Sequence, residues 1–367
     1  MNNKKTIWIT VGVIVVVAVI AIVAFSSGSN KQPAVKQTVK IGLALPLTGG
    51  AAFLGESSRN AAQMALSDAG QTKYNYDLVI EDDAFNPAKT ATVVTKFVNI
   101  DKVSAIITFG SGTSNAAAPI NENAKIPRFG LASDPTSAIG DYNFIHWTPP
   151  FKEGQLSASE MVKKGYKNVA IVDTNHSGTL AVTNSVKEAL KNTSVKIASY
   201  DLTNVGDKDF RTIITKIKAL KPDIVLVEMF SPEIEIFAKQ MKELGVKIPM
   251  TSVETFEWSN DPSLFEGMWF ISDAKITPSF AEKYQAKFND GPKPGATYVY
   301  DLVTLFINNQ EKADHALSPT EMRDSIIKTG YENSPIFGNI QIDKDGFFIT
   351  NASVKMIKNG KAVLIPE

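Results

Sequence analysis

Val103–Pro119 reads VSAIITFGSGTSNAAAP, and this stretch decides the architecture of the chain. A short run of apolar, β-branched residues ends abruptly in glycines and hydroxyls, and an alanine-rich segment follows. That order describes a buried strand delivering a tight turn to a helix N-terminus. Such a turn presents N–H groups without intrahelical partners, hydroxyl donors and the positive end of a helix dipole, all suited to an anion.

Working outward, apolar strands alternate with helical patterns on both sides of the turn. Val39–Leu45 and Leu78–Glu81 read as strands, with a helix near Ser57–Ala69 between them and a second amphipathic helix carrying Val93, Val94, Phe97 and Val98. After Trp147–Pro150 the pattern starts again, with strands at Val169–Val172, Val195–Tyr200, Asp223–Val227 and Ile248–Thr251 separated by helices. Alternation of this kind calls for parallel sheets covered by helices on both faces. Two successive sets of similar size predict two similar lobes. Late helices and strands from Pro278 onward are left to complete first one lobe and then the other.

The chain has 367 residues, enough for two sizeable cores. Lys plus Arg equals Asp plus Glu at 38 each, so no overall field favours nucleic acid and none is expected as a partner. There is no cysteine, which excludes disulfides, thiolate metal sites, Cys nucleophiles and a lipid-modified Cys anchor. At the N-terminus, Lys4 and Lys5 precede the apolar stretch Ile7–Phe25. Residues 1–25 are expected to be an uncleaved membrane anchor or a cleaved signal peptide, since Ala24-Phe25-Ser26 also fits a small-x-small cleavage site. Either form sends the rest of the chain out of the cytoplasm, with residues 26–37 as a flexible linker.

Ligands of open parallel sheets sit beyond the carboxyl ends of the strands. The segments there, among them Asp82–Asp83, Gly110–Asn115, Ala132–Asp134, Glu228–Phe230 and Glu254–Phe256, supply hydroxyls, carboxylates and aromatics. Gly110–Asn115 imitates a dinucleotide fingerprint, with Asp134 placed like its acidic partner, but Asn115 stands where the third glycine belongs. No phosphate-loop lysine and no Gly-x-Ser-x-Gly elbow occurs, and His146, His176 and His315 lack metal-ligand spacing. No cofactor, metal or catalytic residue is expected. His176, in the strand-end segment Asp173–Gly178, reads as a solvated loop histidine ahead of a place at the cleft rim, and Asp82–Asp83 as solvent-facing or, with Asn86-Pro87 following, as caps of the next helix.

The segments IGLALPLTGGAAFLGE (Ile41–Glu56), EDDAFNPAKT (Glu81–Thr90), ITFGSGTSNAAAP, VGDKDFRTIITKIK (Val205–Lys218), MFSPEI (Met229–Ile234) and FGNIQIDKDG (Phe337–Gly346) follow one another across the exported region. In order and spacing the chain from Val39 to about Leu364 resembles the periplasmic leucine/isoleucine/valine-binding proteins of ABC importers, the type I solute-binding fold. The resemblance implies an α/β protein of two doubly wound parallel-sheet lobes joined by a three-strand hinge, residues 38–148 with 275–338 and residues 149–274 with 339–367. It implies crossovers near Thr148–Phe151, Ser272–Lys275 and Phe337–Ile342. It further implies a monomer that captures an amino acid between its lobes and delivers it to a membrane permease, or the same clamp used by a sensing receptor.

By position in that family, Ser111 meets the ligand carboxylate. The backbone of Ala132, the Asp134 side chain and Glu254 meet the ammonium, Phe230 takes an aromatic position, and Leu54 with Phe53 lines the first-lobe wall. Relatives often carry a disulfide between the regions of Phe85 and Gly110, which cannot form here. Asp134 replaces a neutral donor, and Glu228 stands where small residues are usual. Either Glu228 borders the cleft, and the ligand carries an extra polar or cationic group, or it turns outward to solvent or a surface lysine.

Overall fold

The computed structural model of the protein describes residues 36–273, 277–334 and 336–365. The apolar stretch 7–25 lies outside them, as does most of the linker. Among the described residues no helix is long and apolar enough to cross a membrane. The chain divides after Gln37, and both lobes belong to the unit that begins at Thr38.

The first lobe is built on a parallel sheet of β1 (Thr38–Leu45), β2 (Asn75–Asp82), β3 (Ala105–Phe109), β4 (Arg128–Leu131) and β5 (Asn143–Ile145), in the order β2-β1-β3-β4-β5. Every residue of the central β3 is buried, which is why its sequence is a continuous apolar run and not an alternation. Connections run through α1 (Ala52–Asp68), α2 (Pro87–Lys96) and α3 (Ser111–Ala124). On one face Leu43, Ile107 and Phe129 pack with α1, and on the other Ala44 and Ile106 pack with Val93, Val94 and Ala117.

The second lobe repeats the plan with α4 (Pro150–Lys163), β6 (Asn168–Thr174), α5 (Ser177–Leu190), β7 (Lys196–Thr203), α6 (Arg211–Leu220), β8 (Ile224–Glu228), α7 (Glu233–Glu243) and β9 (Met250–Thr251). Its parallel sheet has the order β7-β6-β8-β9, again with apolar clusters on both faces. A lone parallel bridge from Val253 to Ile271 attaches β10 (Trp269–Asp273) to it. The chain then returns to the first core through α8 (Pro278–Phe288), α9 (Ala296–Lys312) and α10 (Pro319–Thr329), contributing Phe280, Tyr298, Phe306 and Ile326. A small hairpin comes next, β11 (Tyr331–Ser334) with β12 (Gly338–Ile340), and β13 (Ala352–Lys358) with β14 (Lys361–Leu364) ends the chain, β13 pairing antiparallel with β10.

The final return to the second lobe comes later than the expected boundary at 338/339. Phe347 and Phe348 are buried in the first core, and the chain there continues the first sheet. The Ile145 N–H donates to the Gly346 carbonyl at 2.9 Å, and the Phe348 N–H to the Ile145 carbonyl at 2.9 Å. The free edge of β5 and the need to bury two phenylalanines hold residues 341–348 in the first lobe. Part of the expected middle crossover, residues 274 and 275, lies outside the described residues.

Candidate functional site

The turn after β3 becomes the first-lobe wall of a cleft. Gly110 adopts φ +93°, and the Phe85 ring occupies the space a β-carbon would need, so only glycine fits. Next in sequence, Ser111 opens α3, and its Oγ accepts the N–H of Ser133 at 3.0 Å and of Asp134 at 3.2 Å. With both acceptor directions used, the hydroxyl proton remains for a ligand.

Phe85 owes its position to two aspartates. Ala84 and Phe85 both take left-handed backbone angles, φ 51° and 57°. Asp82 accepts the Ala84 N–H and Asp83 the Phe85 N–H, each at 2.9 Å. Asp82 and Asp83 therefore pin this loop, and the cap of α2 is Asn86, which accepts the Lys89 N–H at 3.1 Å. The expected helix-capping role of the aspartates is thereby corrected: strained, non-glycine backbone needs such local acceptors.

The second lobe supplies the opposite wall. The N-terminus of α5 faces that of α3, with Gly178 beside Ser111. His176 caps α5 by accepting the Gly178 N–H on Nδ1 at 3.2 Å, stacks on Phe85 (centroids 6.2 Å apart) and meets Phe230 edge-on at 5.0 Å. It is thus part of the cleft and not a solvated loop residue, and burial lowers its pKa. Glu254 sits at φ 66° and accepts the indole N–H of Trp147 at 2.7 Å, a bond between the lobes. Glu228 is 1% exposed, which overturns the outward-facing reading; one of its oxygens accepts the Val253 N–H.

Together these groups enclose a cavity of about 30 Å³, lined among others by Ser111, Ala132, Glu228, Phe230 and Glu254. A wider cleft of about 590 Å³ adjoins it and shares Phe85, His176, Phe230 and Trp258; Phe53 and Leu54 lie on this outer part. Asp134 lines neither. Its carboxylate accepts the Thr136 N–H at 2.9 Å and the Asn115 side chain at 2.7 Å, capping the 3₁₀ turn Pro135–Ala138. Local capping satisfies Asp134 where the ammonium was expected, and Ser133 borders the cavity in its stead.

Electrostatically the cavity is divided. Two helix N-termini converge at Ser111 and Gly178, favouring an anion. Burial pushes the Glu254 carboxyl up to about 8, although the bond from the Trp147 indole holds it down. Burial, and then the charge of Glu254, push Glu153 behind it well above the usual carboxylate range. Burial does the same to Glu228, with Asp173 and Glu254 adding repulsion. The site thus offers N–H donors at one end and buried carboxyl groups at the other. Among the described residues no group of three or more metal-ligating side chains stands together.

A family model described as periplasmic binding protein matches residues 38–362. The chain belongs to the periplasmic binding protein family. A relative from Pseudomonas aeruginosa, the leucine-, isoleucine-, valine-, threonine- and alanine-binding protein, is 26% identical over 351 residues, covering 90% of this chain and 91% of its own. Among solved structures, the leucine-binding protein LivK of Thermotoga maritima superposes with a TM-score of 0.80 at 23% identity, over 89% of this chain and 98% of that one. The branched-chain amino acid transporter substrate-binding protein LivJ of Streptococcus pneumoniae, bound to isoleucine, gives 0.79 at 24% identity over 89% and 98%. These likenesses establish the fold.

In this periplasmic binding protein, the sequence does not mark Phe85, Trp147 and Trp258 as site residues, and it marks His176 first as solvated and only second as a cleft-rim residue. All four line the cavity; Phe85, Trp147 and Trp258 stand outside the strand-end segments, while His176 lies within Asp173–Gly178. For Phe85 the run of two aspartates before an aromatic carried a usable signal, since paired Asx acceptors mark unusual backbone. Trp147 gave none, because its role depends on Glu254, 107 residues away.

Proposed function

We propose that this protein captures an amino acid between its two lobes outside the cytoplasm and delivers it to the permease of an ABC importer. The observation that carries this reading is the meeting of the α3 and α5 N-termini at Ser111 and Gly178, in one cavity with the buried Glu254. The Ser111 hydroxyl and the first N–H groups of α3 receive the carboxylate. Glu254 and the Ala132 backbone receive the ammonium, and Phe230 contacts the side chain, while Phe53 and Leu54 close the outer cleft. No step of chemistry is required of any of them.

Binding drives closure because the two ends of the ligand are gripped from different lobes. A bridging ligand of micromolar affinity, about −8 kcal/mol, exceeds an open–closed difference of a few kcal/mol. The closed form is then the one a permease recognises, with the protein acting as a monomer held near the membrane by its N-terminal apolar segment. A thermal-shift panel of proteinogenic amino acids tests the reading. A ligand at one hundred times its Kd adds about 2.7 kcal/mol to stability. No shift with any amino acid, alongside a shift with an unrelated solute, overturns it.

A further inference from the structure

The cavity holds more carboxyl groups than one ammonium can serve. Glu254 has the α-ammonium as its partner, but Glu228 has none assigned. Its side chain is 1% exposed and lines the cavity. One oxygen accepts the Val253 N–H, and the other accepts no hydrogen bond among the described residues. Opposite its base lies Asp173, its partner across the sheet, so no countercharge comes from β6. The buried lysine of this lobe, Lys355, is committed to Asp273 at 2.8 Å and Glu257 at 2.9 Å. Among the described residues, no lysine or arginine lines the cavity.

The rest of the wall is aromatic. Phe230 and Trp258 stack at 15° with centroids 6.1 Å apart, and Trp147 meets Trp258 edge-on at 6.0 Å. Ring faces attract cations, and most strongly where water is excluded. An aliphatic side chain placed here would leave the second Glu228 oxygen desolvated and unpaired, which is costly.

We infer that the ligand carries a second amino group in addition to its α-ammonium, received by the free oxygen of Glu228 beside the Phe230–Trp258 pair. The inference rests on the amino-acid reading and narrows it to diamino acids. The carboxylate stays at Ser111 and the α-ammonium at Glu254. Glu228 selects among side chains.

Calorimetric titration of the whole chain with L-lysine, L-2,4-diaminobutyrate, L-norleucine and L-leucine tests it, together with Glu228→Gln, whose amide still accepts the Val253 N–H. At least one diamino acid is expected to bind ten- to a hundredfold more tightly than norleucine, the range of a charged hydrogen bond. Glu228→Gln is expected to bring that ratio close to one. Norleucine or leucine binding as tightly as both diamino acids overturns the inference and leaves the amino-acid reading standing. A ratio that survives in Glu228→Gln overturns the role of Glu228. Failure of all four probes, with another solute bound, overturns both.

Discussion

Gly178 in the second lobe stands so close to Ser111 in the first that a β-carbon added to it would lie 2.9 Å from the Ser111 Oγ. Two helix N-termini are brought face to face by the absence of one methyl group. Ser111 cannot rotate away freely, because its oxygen holds the N–H groups of Ser133 and Asp134.

Gly178→Ala is therefore expected to weaken ligand binding several-fold while leaving thermal stability equal or slightly higher, since alanine favours the helix by up to about 1 kcal/mol. Affinity by calorimetry and the thermal midpoint of the ligand-free protein separate the two effects. A variant with wild-type affinity would show that the lobes do not need this approach.

Ser111→Ala removes a donor to the ligand and strands two N–H groups in a buried turn. The expected loss of affinity is about 1–2 kcal/mol, with a smaller fall in stability. Unchanged affinity moves the carboxylate site away from α3.

Glu254 makes the ligand-free protein sensitive to pH. Its carboxyl is raised from 4.5 to about 8 by burial, so the folded chain keeps a proton that the unfolded chain loses across that interval. The unfolded state binds fewer protons there, and stability falls as pH rises from about 4.5 to about 8. Glu254→Gln is expected to flatten this decline in the thermal midpoint. Glu153 and Glu228, also raised by burial, preserve part of it. An unaltered slope in the variant would mean that Glu254 is ionised throughout.

Arg128 is fully buried in the first lobe, and burial lowers its pKa. It donates to the Asn143 side chain at 2.9 Å and to the Ser137 carbonyl, tying β5 to the turn that carries Asp134. Arg128→Met leaves these acceptors unpaired and is expected to cost about 2–3 kcal/mol of stability. Chemical denaturation measures it, and a change below about 0.5 kcal/mol would show that the turn holds without the guanidinium.

Much of the fold was legible because its signals are local. The β-branched run at Ala105–Phe109, the alternation before and after it and the glycine turn at Gly110 each state their own element. The final boundary was not legible: residues 341–348 belong to the first lobe only because β5 offers an edge and the first core has room for Phe347 and Phe348. The place of Ser111 at the head of α3 was readable from the strand-turn-helix order around it. Asp134 was misread because its capping partners, Thr136 and Asn115, compete locally with any ligand.

By itself the sequence determined two α/β lobes, an anion-suited turn after the third strand and the exclusion of thiol chemistry, since each follows from residue type and short-range order. Only the tertiary structure decided which carboxyl groups face the cavity. Glu228 and Asp134 are both acids at strand ends, yet one is enclosed and the other caps a turn. What separates them is desolvation, and desolvation depends on what the far parts of the chain bring to cover a residue.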